Sequence, residues 1–188
     1  QAVGVDCGGN GGAIYMDGGG ESTARFCGLT VTGNVSTRFG GAMFRTAYGT
    51  AQTTIFDRST LDGNVSTEGG GALYLQGTPV TITDSTVSNH AAAGAAVWIL
   101  DHNAEGAAPG VLDLTNVTIA GNHNSNWGAA GITLGGDASG RWQNVTVADN
   151  PGDNIELGIL VDEGATATVT NSILQSCYRS LAGDHNLQ

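Results

Sequence analysis

Lysine is absent from this sequence, aromatic residues are scarce and charge is low, and these shortages exclude several classes of protein. Among 188 residues, the six basic residues are all arginine, and 17 Asp and Glu residues bring the net charge to −11. A nucleic-acid-binding protein needs a cationic surface that displaces counterions, so we predict no nucleic-acid partner. No apolar run approaches the roughly twenty residues of a membrane span, so we predict no membrane insertion.

The remaining composition indicates an ordered chain with many turns. Hydrophobic residues make up 40% and charged residues 12%, which is too apolar and too weakly charged for a disordered tail. Glycine contributes 31 residues and proline only three. The sequence begins with Gln1 and shows no targeting segment, so we interpret it as a mature or excised part of an exported protein. We therefore predict a secreted or cell-surface location and one domain over residues 1–188, which could be a fragment of a longer protein.

Internal repeats are the main signal in the chain. A Gly-Gly-Ala motif followed by apolar residues has exact or looser copies at 11–16, 40–45, 70–75, 94–99 and 129–134. A second motif, rich in Thr and ending in Asn, follows at 29–34, 59–64, 85–89, 117–122 and 145–150. Successive copies of the second motif begin 30, 26, 32 and 28 residues apart. This spacing is too irregular for a short-coil solenoid and too short for a propeller blade.

A third apolar segment lies between these two motifs, and three short strands per repeat predict an all-β parallel β-helix. The chain would form about six three-strand coils, stacked about 4.8 Å apart, with turns rich in Gly, Asn and Asp. Two columns should face inward. The first is Val31, Leu61, Val87, Ile119, Val147 and Leu174, and the second is Phe26, Phe56, Ile82, Leu114, Trp142 and Val169.

Polar residues also fall into columns on adjacent coils. The turn between these two inward columns predicts a hydrogen-bonded stack of Asp84, Asn116, Asn144 and Asn171. Three pairs of opposite charge share columns: Arg38 with Glu68, Arg58 with Asp84, and Asp113 with Arg141. These pairs support the register, because charge was not used to set it.

The two motifs resemble those of a known family. The Gly-Gly-Ala-Ile-Tyr and Thr-x-x-Gly-Asn patterns resemble the polymorphic outer-membrane-protein type of parallel β-helix repeat. The C-terminal segment, from Asn171 through Cys177 to Leu187, resembles the last coils of bacterial surface proteins with a choice-of-anchor domain. The resemblance implies a right-handed helix, export, and a role in adhesion or cell-surface architecture.

The Gly-Gly-Ala strands carry the first candidate site. Their aliphatic column should face the core, because the residues two positions further on are also mostly apolar. The alternating column would then place four aromatic rings outside: Tyr15, Phe44, Tyr74 and Trp98. We predict that this column contacts a glycan or a neighbouring chain. In the alternative interpretation, the rings stabilise one another or are covered by a turn.

Two metal sites are open hypotheses. Asn89-His90 and Asn122-His123 are predicted at equivalent positions on adjacent coils, so that His90 and His123 could share a zinc or copper ion. The alternative is that both are solvent-facing turn residues. Calcium is a possible cofactor at the oxygen-rich loop 149–156, although Asp and Asn are also common turn residues.

The three cysteines bear on assembly. Cys7 and Cys27 both belong to the first predicted coil and could form a disulfide. Cys177 aligns with the Asn of the Gly-Asn turn five coils further on, about 24 Å away, so it cannot bond to either of them. Cys177 is therefore predicted to be free, or paired with another molecule or with chain outside this sequence. The alternative to end-to-end or lateral assembly with its own chain is a truncated monomer.

We predict an extracellular structural or adhesive β-solenoid and assign no catalytic residue. Polysaccharide-acting β-helices commonly place Arg or Lys beside clustered carboxylates. This sequence lacks Lys, and three of its six Arg have predicted partners. The alternative function is a polysaccharide-binding or polysaccharide-cleaving module.

Overall fold

The computed structural model describes residues 9–18, 20–49, 52–102, 105, 107–126, 128–154, 157–178 and 182–184. Over these residues it contains no helix and 56% strand, and all strands pair in parallel to form a β-solenoid of about five turns. The predicted all-β parallel β-helix is therefore confirmed, with about five turns where the sequence predicted about six coils. Its right-handed sense stays a prediction. None of the described residues forms a helix that could cross a membrane.

Three parallel sheets form the walls of the solenoid, with strands numbered in chain order. Sheet A comprises β1 (Ile14–Gly18), β5 (Met43–Ala47), β9 (Leu73–Gln76), β12 (Val97–Leu100), β15 (Ile132–Gly135), β17 (Ile159–Val161) and β20 (Cys177–Tyr178). Sheet B comprises β2 (Ser22–Cys27), β3 (Thr30–Thr32), β6 (Gln52–Asp57), β7 (Thr60–Asp62), β10 (Pro79–Ser88), β13 (Val111–Ala120), β16 (Ser139–Ala148), β18 (Thr166–Thr170), β19 (Ile173–Leu174) and β21 (Ala182–Asp184). Sheet C comprises β4 (Val35–Ser36), β8 (Val65–Ser66), β11 (Ala91–Ala92) and β14 (His123–Asn124).

Sheet B joins two segments that the sequence predicted as separate strands. In β10, β13 and β16 one strand of ten residues contains both segments. Asp84, Asn116 and Asn144 lie in the middle of these strands with φ between 49° and 55°. Asn and Asp tolerate this left-handed conformation better than most residues. The predicted turn is thus a local bend within one sheet.

Sheet C was not expected from the sequence. Its strands are only two residues long, and they follow the turn that ends in Asn or His. Such short segments have too few residues to show an alternating hydrophobic pattern. They complete the third wall of the coil through parallel pairs such as Val35 with Val65 and Ala91 with His123.

Both predicted inward columns face the core. All twelve side chains pack in or against one hydrophobic cluster, and Phe26 alone is only partly buried. The rings of Phe26 and Phe56 stack inside the solenoid, with centroids 4.9 Å apart. Trp142 is the largest fully buried side chain, and its indole N–H donates to the carbonyl oxygen of Leu112 at 3.2 Å. The core is therefore a stack of aliphatic and aromatic layers.

The Gly-Gly-Ala motif is explained by close approach between coils. Gly40 has φ +71°, a conformation that residues with a Cβ rarely adopt. At Gly41, an added Cβ would lie 2.1 Å from the carbonyl oxygen of Gly71 on the next coil. Ala42 then enters the core with 1% of its surface exposed. The exact copies of the motif thus place a tight turn directly before β1, β5 and β9.

Two of the three predicted charge pairs are confirmed. Arg38 Nε lies 3.2 Å from Glu68 Oε1. Arg141 binds both carboxylate oxygens of Asp113, at 3.0 and 2.6 Å. The Arg58–Asp84 ion pair is wrong, because Arg58 instead bonds to its neighbour Asp57 at 2.8 Å.

Asp84 belongs to the predicted polar stack, which is confirmed. Asn116 donates to Asp84 at 2.8 Å, Asn144 donates to Asn116 at 2.9 Å, and Asn171 donates to Asn144 at 2.5 Å. This stack lies at the surface of sheet B.

Candidate ligand-binding cleft

The four aromatic residues of sheet A form one column on the outer face of the sheet. Ile14 and Met16 pack against the core on either side of Tyr15, so alternation directs the Tyr15 ring outward. Tyr15 and Phe44 stack with centroids 5.4 Å apart, and Phe44 and Tyr74 stack at 5.6 Å. Trp98 meets Tyr74 edge-on at 5.6 Å. The rings therefore stabilise one another, as the alternative interpretation expected.

Turn residues cover the middle of this column. Tyr15 is 54% exposed, whereas Phe44 and Tyr74 are each 8% exposed. The ring of Phe39, in the turn before Gly40, lies 4.4 Å from that of Tyr74. The two ends of the column are less covered: Tyr15 is exposed and Trp98 is partly exposed.

Trp98 occupies space that two glycines leave open. A Cβ on Gly69 would lie 2.2 Å from Trp98 Cε3, and a Cβ on Gly94 would lie 2.9 Å from Cζ3. Neither glycine has a positive φ, so close approach of the indole explains the residue type at both positions. The turns of adjacent coils thus hold the indole against the sheet.

These residues border a cleft of about 340 Å³. Its aromatic wall consists of Phe39, Tyr74 and Trp98, and the rest of its lining is Thr67, Glu68, Ala93 and Asn126. The cleft therefore combines three rings with a carboxylate, an amide and a hydroxyl group. Ligand sites commonly have this composition, in which apolar walls supply contact area and a few polar groups orient the ligand.

Two ionisable side chains, those of Glu68 and Tyr74, line the cleft. Glu68 pairs with Arg38, so its carboxylate is oriented at the rim. Burial, and secondarily the negative charge of Glu68, raises the pKa of Tyr74 to about 12. Tyr74 therefore remains a neutral phenol throughout the physiological pH range.

Phe39 is the cleft residue that the sequence analysis missed. Its backbone occupies the position of Asn10 and Gly69 on the neighbouring coils, as the hydrogen bonds to Gly11 and Gly40 show. An aromatic residue in a column that otherwise holds Asn and Gly was the available signal. Arg38 and Glu68 come directly before Phe39 and Gly69 in the sequence. The alignment of this charge pair therefore already placed Phe39 opposite Gly69.

The predicted histidine pair does not come together. The register pairs His123 with Ala91, and the backbone N–H of His90 donates to Asn122 Oδ1 at 3.0 Å, so His90 is equivalent to Asn122. The prediction that the two histidines share a column was therefore wrong by one residue. His123 is partly exposed, and its Nε2 lies 2.9 Å from Asp153 Oδ1.

His90 is buried at 1% exposure, with both ring nitrogens bound by the protein. The backbone N–H of Asn64 donates to Nδ1 at 3.0 Å, and Nε2 lies 3.0 Å from the carbonyl oxygen of Leu61. This pattern fits a neutral imidazole protonated on Nε2. Burial lowers the pKa of His90 to about 4, against the smaller opposing effect of its hydrogen bonds. Both ring nitrogens therefore stabilise the fold by bonding to backbone groups.

The oxygen-rich loop separates its side chains. Asn150 turns inward and its Oδ1 accepts from Asn122, whereas Asp153 contacts His123 at the surface. Ile155 and Glu156 lie outside the described residues. Among the residues that are described, no three His, Cys, Asp or Glu side chains cluster as metal ligands. Calcium binding at this loop stays a prediction.

The cysteine predictions receive no support from the structure. Cys27 has an exposed, free thiol, and its predicted partner Cys7 lies outside the described residues. Cys177 lies in β20, where it pairs with Ile159 of sheet A, and not at the Gly-Asn turn position that the alignment predicted. Cys177 is therefore part of a strand of sheet A and not part of a turn. Its role in intermolecular contact stays a prediction.

Comparison with protein-family models, curated proteins and solved structures found no match. The parallel β-solenoid fold is shown by the structure itself. The resemblance to polymorphic outer-membrane-protein and choice-of-anchor repeats rests on the sequence motifs alone.

Proposed function

We propose that this protein is an extracellular, non-catalytic adhesive β-solenoid that binds a glycan in the cleft beside Trp98. The single observation that carries the proposal is the cleft itself, in which Phe39, Tyr74 and Trp98 line one wall beside Glu68 and Asn126. The motif resemblance to bacterial surface repeats supports the extracellular setting.

The chemistry of the cleft suits a sugar. The C–H face of a pyranose ring is apolar and stacks on aromatic rings, while its hydroxyl groups require donors and acceptors at the edge. The Glu68 carboxylate accepts from hydroxyl groups, and the Asn126 side-chain amide can both donate and accept. Because the protein has a net charge of −11 and Glu68 lies at the rim, a neutral glycan suits the cleft better than an acidic one.

A binding screen tests this function. We would titrate the protein with a panel of purified neutral and acidic polysaccharides, and repeat the titration of any ligand with Trp98→Ala and Phe39→Ala. Loss of a stacking ring should weaken binding by about tenfold or more. Tyr48→Ala is the matched control, because Tyr48 is 41% exposed and lies outside the cleft.

Two outcomes would contradict glycan binding at the cleft: no polysaccharide binds, or the two cleft variants bind as tightly as the wild type. If incubation with a polysaccharide produced new reducing ends or unsaturated products, the protein would cleave polysaccharides and the non-catalytic role would be wrong.

Assembly with a second copy is supported by a different observation. Tyr15 is 54% exposed at the end of the ring stack, and β1 and β2 are terminal strands in sheets A and B among the described residues. Another chain could extend both the ring stack and the backbone pairing there. Sedimentation over a range of concentrations, with Tyr15→Ser as the variant, tests this role. A monomer at every concentration would contradict it.

A further inference from the structure

A charged side chain, that of Arg45, lies inside the solenoid. Arg45 is in β5, in the inward-facing column between Met16 and Leu75, and is 2% exposed. The other members of this column in sheet A are apolar: Ile99, Leu134 and Val161. A buried guanidinium among aliphatic residues therefore needs a specific explanation.

Among the described residues, Arg45 donates hydrogen bonds to four neutral acceptors. One terminal nitrogen donates to the carbonyl oxygen of Thr53 at 2.8 Å and to Thr54 Oγ1 at 3.0 Å. The other donates to the carbonyl oxygen and Oγ of Ser22, at 3.2 and 2.9 Å. Among the described residues, no ion pair joins Arg45 to a carboxylate.

Within the part of the chain that the structure describes, the positive charge is therefore not paired with a carboxylate. Burial lowers the pKa of Arg45, but a guanidinium stays protonated in proteins. Burying an unpaired charge is costly, and proteins ordinarily balance it with a counter-ion.

A polar cavity of about 80 Å³ adjoins the guanidinium. Besides Arg45, its lining consists of Met16, Asp17, Gly18, Ser22, Thr46 and Gln52. Both terminal nitrogens of Arg45 donate twice to protein acceptors, so the donors left for a ligand are its Nε–H and the hydroxyl groups of Ser22 and Thr46. Asp17 is an acidic member of the lining, and its carboxylate accepts from the Tyr15 hydroxyl at 3.0 Å on the outer face. The side-chain amide of Gln52 donates to the carbonyl oxygens of Gly18 and Gly20.

We propose that this cavity binds a small monatomic anion of the chloride class, which compensates the charge of Arg45. The cavity is large enough for such an ion with a few waters, because one water needs about 10–15 Å³. A cavity of this size leaves little room for an organic acid. Since Arg45 joins β5 to β2 and β6, the bound ion stabilises the first two coils against each other.

Thermal unfolding in sodium chloride, bromide and fluoride at constant ionic strength tests the site. We expect chloride and bromide to raise the melting temperature in a saturable way relative to fluoride, by about 3–6 °C at roughly ten times the dissociation constant. Arg45→Met keeps an unbranched side chain but removes the charge and its donors, and it should abolish this difference. Arg141→Met is the matched control, because Arg141 is an exposed arginine remote from the cavity, and it should retain the full effect. An equal chloride effect in Arg45→Met and in wild type would overturn the proposal.

Bromide crystallography decides the question on the wild-type protein, should Arg45→Met fail to fold. An anomalous peak in the cavity within contact distance of the Arg45 nitrogens is the expected result. A cavity that holds only water in crystals grown in bromide would overturn the proposal.

Discussion

Two stacks of polar side chains run along this solenoid, one buried and one exposed. The exposed stack is Asp84, Asn116, Asn144 and Asn171, and the buried stack is Asn34, Asn64, His90, Asn122 and Asn150. Side-chain bonds within the two stacks have similar lengths: 2.9 Å from Asn144 to Asn116 and 2.8 Å from Asn122 to Asn150. The stacks therefore have similar bond lengths but differ in environment and in backbone conformation, because only the exposed stack has positive φ.

The buried stack satisfies backbone groups that have no access to water. The backbone N–H of Asn64 donates to His90 Nδ1, that of His90 donates to Asn122 Oδ1, and that of Asn122 donates to Asn150 Oδ1, at 3.0, 3.0 and 3.1 Å. In the exposed stack the amides bond mainly to one another, where water can replace each partner. We therefore expect a stack of hydrogen-bonded Asn side chains to contribute more to stability when it is buried.

The largest expected effect comes from breaking the buried stack. Asn122→Ala removes the acceptor of the His90 N–H and a donor to the carbonyl oxygen of Val87. Two unsatisfied buried groups should lower the free energy of unfolding by about 4 kcal/mol. Asn144→Gly is the matched change in the exposed stack, because glycine tolerates the φ of 55°, and it should cost about 1 kcal/mol or less. Urea titration measures both, and equal losses would show that burial does not set the difference.

The next largest effect is a loss of stability at acid pH, when His90 in the buried stack becomes protonated. Its pKa of about 4 in the folded protein lies below the ordinary 6.5, so the unfolded chain takes up the proton first as the pH falls. Stability is therefore full above pH 6.5, falls by about 3 kcal/mol towards pH 4, and levels off below that.

His90→Asn is the control for this pH effect, because Asn occupies the equivalent positions on the coils above and below. It should remove most of the slope. The lowered pKa of Asp62 adds a smaller loss at acid pH in both proteins. An unchanged slope in His90→Asn would contradict the assignment to His90.

The smallest expected effect lies at an exposed contact beside the exposed stack. Arg141→Gln breaks the two bonds to Asp113, but the Arg141 side chain is 78% exposed and water replaces its partner. We expect a small decrease in the unfolding midpoint at low salt and none at high salt, because salt screens exposed charges. Urea titration at two ionic strengths measures this difference. A loss as large as that of Asn122→Ala would place substantial stabilisation at the surface, against the comparison.

Much of the fold was predictable because the two inward columns lie five residues apart in every coil, although the coils differ in length. The inward columns and the Arg38–Glu68 and Asp113–Arg141 pairs follow from repeat alignment, since stacked coils bring equivalent residues together. His90 was misplaced because Asn89 and His90 were aligned with Asn122 and His123. The imidazole in fact replaces the Asn amide of the repeat, with Nδ1 accepting and Nε2 donating in its place.

The candidate site was only partly predictable. The outward direction of the four aromatic rings follows from alternation along each strand. Their coverage does not, because Phe39 reaches Tyr74 from a turn, and turns carry no periodic signal. The room for Trp98 depends likewise on Gly94 in the turn before its own strand and on Gly69 in the equivalent turn of the preceding coil.

The amino-acid sequence by itself determined the solenoid, because residues recurring at coil spacing can bury their apolar side only by stacking. Only the tertiary structure decided which polar residues are inside. Asn122 and Asn144 have the same chemistry and neighbouring motifs, yet one is enclosed between sheets B and C and the other lies at the surface of sheet B. Arg45 occupies an apolar column and turns inward with it. The physical reason is that the burial of a side chain depends on how sheets A, B and C pack together. A local sequence pattern does not specify that packing.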